Sequence, residues 1–161
     1  WARMPAMKHG DVHLYETLAI TRYVDEAFDG PALQPDSPLE RAVMTQWISV
    51  VNGYLFLSAV PGYLFKYLFP KTEDGKPDRA AIDAAVPQLE HDLKIIEAAY
   101  GKSEWLAGSM LSLADFFVMP LVASVSGFPE GQGILEGCPN LRRALSAMEP
   151  RDAYKAAQPQ G

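Results

Sequence analysis

The chain has 161 residues, 48% of them hydrophobic, and its 14 Lys+Arg against 20 Asp+Glu leave a net charge of −6. This is the balance of one globular domain or two small ones, and with no basic stripe nucleic acid is not an expected partner. The single cysteine, Cys138, excludes intrachain disulfide frameworks, cysteine-based zinc sites and iron–sulfur clusters.

The opening Trp1-Ala2-Arg3-Met4-Pro5 has no initiator methionine and none of the blocks of a secretory signal, so it reads as the interior of a longer polypeptide. Ala6-Met7 and Val12-His13-Leu14-Tyr15 flank a turn at Lys8 to Asp11, which predicts a small hairpin. From Thr17, a plausible N-cap, the apolar period becomes helical through Ile20, Tyr23, Val24, Ala27 and Phe28. The breaker-rich stretch 29–36 then reads as an interdomain linker. Ser37-Pro38 opens a long helix, expected to bend near Pro61-Gly62 and to end at Pro70.

Ala42 to Phe65 carries no charge and is long enough to cross a bilayer, but Thr45, Gln46, Asn52, Pro61 and other polar or helix-weakening residues favour a buried helix. No membrane partner is expected. After a loop over 71–77, Asp78 caps a further helix that ends at Gly101, with Pro87 inside it as a kink or restart. Ser112-Leu113-Ala114-Asp115 is a capping box opening the most hydrophobic helix, Leu113 to Val125, the expected centre of the core. A loop through Gly127, Gly131, Gly133 and Gly137 and a last amphipathic helix from Pro139 complete the reading.

No phosphate-binding loop, zinc-protease motif or nucleophile elbow is present, and the three histidines have no ligand spacing, so no metal is expected. Ser112 and Asp115 lack a histidine to form a hydrolase triad, and their capping role already accounts for both. One constellation remains. Met4-Pro5 stands ahead of Glu16-Thr17 with the hairpin between. If the proline peptide is cis, the Met4 backbone turns outward, where its N–H and C=O can pair with an extended peptide. The start of the Thr17 helix offers unpaired N–H groups, the positive end of the helix dipole and a hydroxyl, which together suit a carboxylate, while Glu16 can accept from an ammonium group. On spacing alone, a turn proline and a simple helix cap explain the same residues.

Three blocks carry a family resemblance. Arg3-Met4-Pro5-Ala6-Met7, Leu14-Tyr15-Glu16-Thr17-Leu18-Ala19-Ile20 with Tyr23, and Trp105-Leu106-Ala107-Gly108 through Ser112-Leu113-Ala114-Asp115 resemble, in order, motifs of the cytosolic glutathione S-transferases, most similarly the phi and theta-like branches. The implied fold is mainly α: the C-terminal half of a thioredoxin-like α/β domain over 1–28, a linker over 29–36 and an all-helical domain over 37–161. The resemblance implies glutathione as co-substrate, with Arg3, Met4 and Pro5 at its cysteinyl backbone and Glu16 and Thr17 at its γ-glutamyl end. Methionine for the usual valine and threonine for the usual serine preserve the backbone donors and the hydroxyl. The family's Ser, Tyr or Cys that acts on the sulfur lies ahead of the proline by a strand, a helix and a strand, hence before Trp1, so no catalytic residue is expected in this chain.

The implied reaction is conjugation of the glutathione thiolate to a small hydrophobic electrophile, with Trp47, Val50, Tyr54 and Phe117 as candidate pocket walls. A cytoplasmic homodimer is expected, pairing partly through the uncharged helix around Ala42 to Tyr54. A non-catalytic interaction module of the same fold and a glutathione-dependent isomerase or dehalogenase are the alternatives; Glu16 beside Thr17 favours the enzyme, because a scaffold needs a cap there but not the acid.

Overall fold

The structure, a computed structural model, describes residues 4–157. Strands β1 (Ala6–His9) and β2 (Val12–Tyr15) pair antiparallel with Ala6 opposite Tyr15 and His9 opposite Val12. The two-residue connection holds Gly10 at φ 57, a conformation glycine adopts without a side-chain clash. Helix α1 (Thr17–Ala27) follows directly. The sequence expectation of Thr17 as N-cap is corrected: Glu16 occupies that position, at φ 72, and Thr17 is the first helical residue.

Helix α2 (Pro38–Val50) begins as expected, with Ser37 Oγ accepting from the Glu40 N–H at 3.5 Å. It then widens into two π-helical stretches, Val51–Leu55 and Ser58–Leu64, before α3 (Phe65–Leu68). Gly62 is required in the second, because a Cβ there would lie 2.9 Å from the Leu57 carbonyl oxygen. By length and composition Pro38–Leu68 is apolar enough to cross a membrane. Here one side of it, with Met44, Ile48, Val51, Leu55, Ala59 and Tyr63, forms part of the protein core, while Tyr54, Phe56 and Leu57 remain exposed. The run is therefore only half covered.

Helix α4 (Arg79–Tyr100), capped by Asp78 Oδ1 on the Ala81 N–H at 3.0 Å, continues unbroken through Pro87. Helix α5 (Leu113–Ser126) is the central helix that its composition predicts, burying Leu113, Ala114, Val118, Met119, Val122 and Val125. Its capping box forms, and Asp115 is fully buried. Asp115 Oδ2 accepts from the Ser112 N–H at 2.8 Å and the Ser112 hydroxyl at 2.9 Å; Oδ1 accepts from the Tyr100 hydroxyl at 2.8 Å and the Leu106 N–H at 3.0 Å.

The glycine-rich segment expected as a loop contains a helix, α6 (Pro129–Glu136). Pro129 opens it, and Gly131 lets it lie against the end of α5, where a Cβ would overlap the Val125 carbonyl. Its anchor is Glu130, whose carboxylate accepts from the Tyr63 hydroxyl at 2.8 Å, the Tyr67 hydroxyl at 2.6 Å and Arg79 Nη2 at 2.6 Å. Helix α7 (Pro139–Met148) has no cap of its own; Glu97 of α4 accepts from the Asn140 and Leu141 N–H groups at 3.1 and 2.8 Å. A short α8 (Asp152–Ala157), which the sequence reading did not separate, ends the described chain.

The capping box and the Glu130 anchor are each open to a stability test. Ser112→Ala should cost about 1 kcal/mol in urea unfolding, and Asp115→Ala about 3 kcal/mol or more, because it strands the buried Tyr100 hydroxyl and backbone donors as well. For Glu130, burial raises the carboxyl pKa, but the Tyr67, Arg79 and Tyr63 donors outweigh it and bring the value from the ordinary 4.5 to about 2. A carboxylate with a lowered folded-state pKa stabilises the fold fully above its unfolded value, and that contribution disappears as pH falls through the folded value. The melting-temperature gap between wild type and Glu130→Gln should therefore be full above pH 4.5 and shrink as pH approaches 2.

Candidate functional site

The hairpin register decides what lies at its open end. Ala6 opposes Tyr15, so Pro5 and Glu16 are the next residues beyond the last paired positions of the two strands. The Met4–Pro5 peptide is cis, as the sequence reading required, and Met4 is 95% exposed. No side chain caps α1, so the donors of its first turn have no side-chain acceptor. Glu16 and Thr17 are both exposed at that end. Glu16 takes a positive φ that is uncommon outside glycine and asparagine, and such outliers concentrate at functional positions. The geometry gathers Met4, Pro5, Glu16 and Thr17 into one surface; Arg3 lies outside the described residues.

The four candidate wall residues are not gathered in this way. Trp47 lines a groove of about 580 Å³ with Leu39, Val43 and Ile95, between the start of α2 and the end of α4. Tyr54 lines a different cavity of about 360 Å³, beside Leu57, Ser58 and Asp92. Val50 and Phe117 are partly buried and pack against the core. These cavities do not bring the four together: Trp47 and Tyr54 line separate recesses.

The second cavity holds a polar cluster that the sequence reading missed. Asp92, 7% exposed, accepts from the Ser58 hydroxyl at 2.6 Å and from Gln88 Nε2 at 2.9 Å. The signal was available: an aspartate beside Leu89, Leu93 and Ile96 on the buried face of α4 needs donors from another element. Nearby, the Tyr63 and Tyr67 phenols are pushed above their ordinary pKa by burial and by bonding to Glu130, so both stay protonated donors at neutral pH.

A hairpin leading into an uncapped helix, followed by an all-helical bundle around a capping-boxed central helix, defines a class in which an α/β ligand-binding portion is joined to a helical domain. Comparison with known proteins specifies it. Residues 59–152 match the family model of the glutathione S-transferase C-terminal domain. Glutathione S-transferase F14 of Arabidopsis thaliana is 30% identical over 96% of this chain, and glutathione S-transferase 1 of Zea mays 28% identical over 93%. The chain spans 62% of the first relative's length and 75% of the second's. Among solved structures, glutathione S-transferase III in apo form superposes with a TM-score of 0.84 at 29% identity, covering 99% of this chain and 74% of that one. Glutathione S-transferase I bound with lactoylglutathione gives 0.82 at 26% identity, covering 96% and 73%. The chain belongs to the glutathione S-transferase family, and its fold is a partial thioredoxin-like unit followed by an all-α unit.

Proposed function

We propose that this chain supplies the γ-glutamyl and backbone contacts for glutathione, together with the helical domain, of an enzyme that conjugates glutathione to small hydrophobic electrophiles. The observation that carries the reading is the hairpin register that sets the Met4–Pro5 backbone beside the uncapped start of α1. Glutathione has an amide backbone in its middle and an amino-acid zwitterion at one end. The Met4 N–H and C=O pair with its cysteinyl unit, flanked by Arg3 and Pro5. The first N–H groups of α1 and the Thr17 hydroxyl hold the γ-glutamyl carboxylate, and the Glu16 carboxylate accepts from its ammonium group.

This reading assigns no catalytic residue within the chain. The group that stabilises the thiolate is assigned to polypeptide ahead of Trp1, in keeping with the family pattern, and the reaction is attack of that thiolate on an electrophilic carbon. Trp47, Val50, Tyr54 and Phe117 are retained as wall candidates, with Trp47 and Tyr54 in separate recesses. In this division residues 1–28 belong to the thioredoxin-like domain, 29–36 to the linker and 37–161 to the helical domain. Similar solved structures, among them a transferase bound with lactoylglutathione and one from maize in complex with an atrazine glutathione conjugate, support glutathione and a small electrophile as the substrate pair. A cytoplasmic homodimer completes the proposal, its support being the exposed Tyr54, Phe56 and Leu57 on the uncharged helix.

Calorimetric titration of the full-length protein with glutathione tests the site. Thr17→Val removes one bond to a carboxylate, worth roughly 1.5–3 kcal/mol, so affinity should fall about tenfold to hundredfold. Glu16→Gln should weaken the ammonium contact comparably. Equal dissociation constants in folded variants would reject the assignment and favour a non-catalytic module. Sedimentation of the same material at micromolar concentration should give a dimer; a monomer would remove that part of the proposal.

A further inference from the structure

Among the described residues, the hairpin and α1 meet the helices through little packing. Helix α1 has no fully buried residue, and Leu18 is its one side chain among those packed against the helical core. Orientation must then come from directional bonds, and residues 28–37 provide them. Asp25, half-buried near the end of α1, accepts from the Leu33 N–H at 2.8 Å through Oδ1 and from Gln34 Nε2 at 3.1 Å through Oδ2. The same Nε2 donates to Glu26 Oε1 at 3.0 Å, so the two amide protons are divided between two carboxylates of α1. Gln34 is 7% exposed, and its Oε1 is buried with no hydrogen-bond partner among the described residues. An orphaned oxygen is unfavourable, so the amide is held by its donors and not by its acceptor.

The opposite side of this segment is fastened to the helices. The Leu33 carbonyl accepts from the N–H of Leu113, the first residue of α5, at 2.9 Å. Arg41 of α2 donates Nε and Nη2 to the Pro35 carbonyl at 3.0 and 2.9 Å. Leu33 therefore joins α1 to α5 through its own two backbone groups, and Asp25 is the acceptor on the α1 side.

We propose that Asp25 is a positioning residue: its carboxylate straps α1 to the connecting segment and so fixes the direction in which Glu16 and Thr17 face relative to the helical bundle. Thr17 lies eight residues, about 12 Å, from Asp25 along α1, so a swing of about 10° at the Asp25 end displaces it by roughly 2 Å. Displacements well below this disrupt the alignment of reacting groups. That consequence for catalysis rests on the glutathione reading; the strap itself does not.

The test is a distance measurement in the full chain. Nitroxide labels at the exposed positions Lys8→Cys and Arg142→Cys, with the buried Cys138 left in place, report the placement of the hairpin against α7 by electron–electron double resonance. The parent should give one narrow distance. Asp25→Ala should lose that single peak while the urea midpoint of the helical domain is kept, and Asp25→Asn, which retains an acceptor for the Leu33 N–H, should restore most of it. A parent-like narrow distance in folded Asp25→Ala overturns the proposal. If Asp25→Ala does not fold, Asp25→Val takes its place, with the same broadening expected and the same unbroadened result decisive against it. Glutathione affinity, titrated in parallel, separates the two readings: no binding by the parent rejects the glutathione site, whereas the distance distributions judge the strap.

Discussion

Asp115 is fully buried, and a carboxylate taken out of water must have its lone pairs occupied by donors or it unfolds the region around it. Four donors from three places in the chain do this: the Ser112 N–H and hydroxyl, the Leu106 N–H and the Tyr100 hydroxyl. The bonds close the first turn of α5, fix the loop that precedes it and fasten the end of α4. Burial and the adjacent Asp115 charge both push the Tyr100 phenol up, so it remains a protonated donor at neutral pH. One side chain thereby sets where the central helix begins.

That start point propagates. Leu113, the first residue of α5, donates its N–H to Leu33, and the Leu33 N–H is bonded to Asp25 in α1. The placement of the α/β portion is consequently linked to the capping box by two backbone groups of a single residue. Elsewhere too, carboxylates fasten helix ends across the fold: Glu97 of α4 caps α7, which has no side-chain cap of its own, and Glu130 near the start of α6 ties that helix to Tyr63, Tyr67 and Arg79.

This explains which features were legible in the sequence. The hairpin, the Ser37 and Asp78 caps and the Ser112–Asp115 box depend on residues within a few positions of each other, and periodicity or turn chemistry exposes them. Helix α6 was not legible, because Gly131 reads locally as a breaker while its role is to admit the Val125 carbonyl, and because Glu130 finds its partners 63 and 67 residues away. The π turns of 51–64 were anticipated only as a bend at Pro61-Gly62, since the polar partner that meets Ser58 is Asp92 on another helix. At the open end of the hairpin the order of strand, turn and helix was legible but the start of α1 was not: the cap position falls on Glu16 and not on Thr17.

A threonine that caps its helix spends its oxygen on an N–H of the next turn, and a ligand carboxylate must then compete with it. Here Glu16, at φ 72, takes the cap position and makes no side-chain cap bond, so the first-turn donors of α1 have no cap side chain to compete for them. The surface here is open, with Met4 almost fully exposed, so under the glutathione proposal recognition would rest on backbone groups held in register and on a helix end, not on enclosing walls. Register in a four-residue hairpin is set by the Gly10-Asp11 connection, and the side-chain identities at positions 4 and 17 matter only as far as they leave those groups free. Methionine and threonine satisfy that condition as well as valine and serine do.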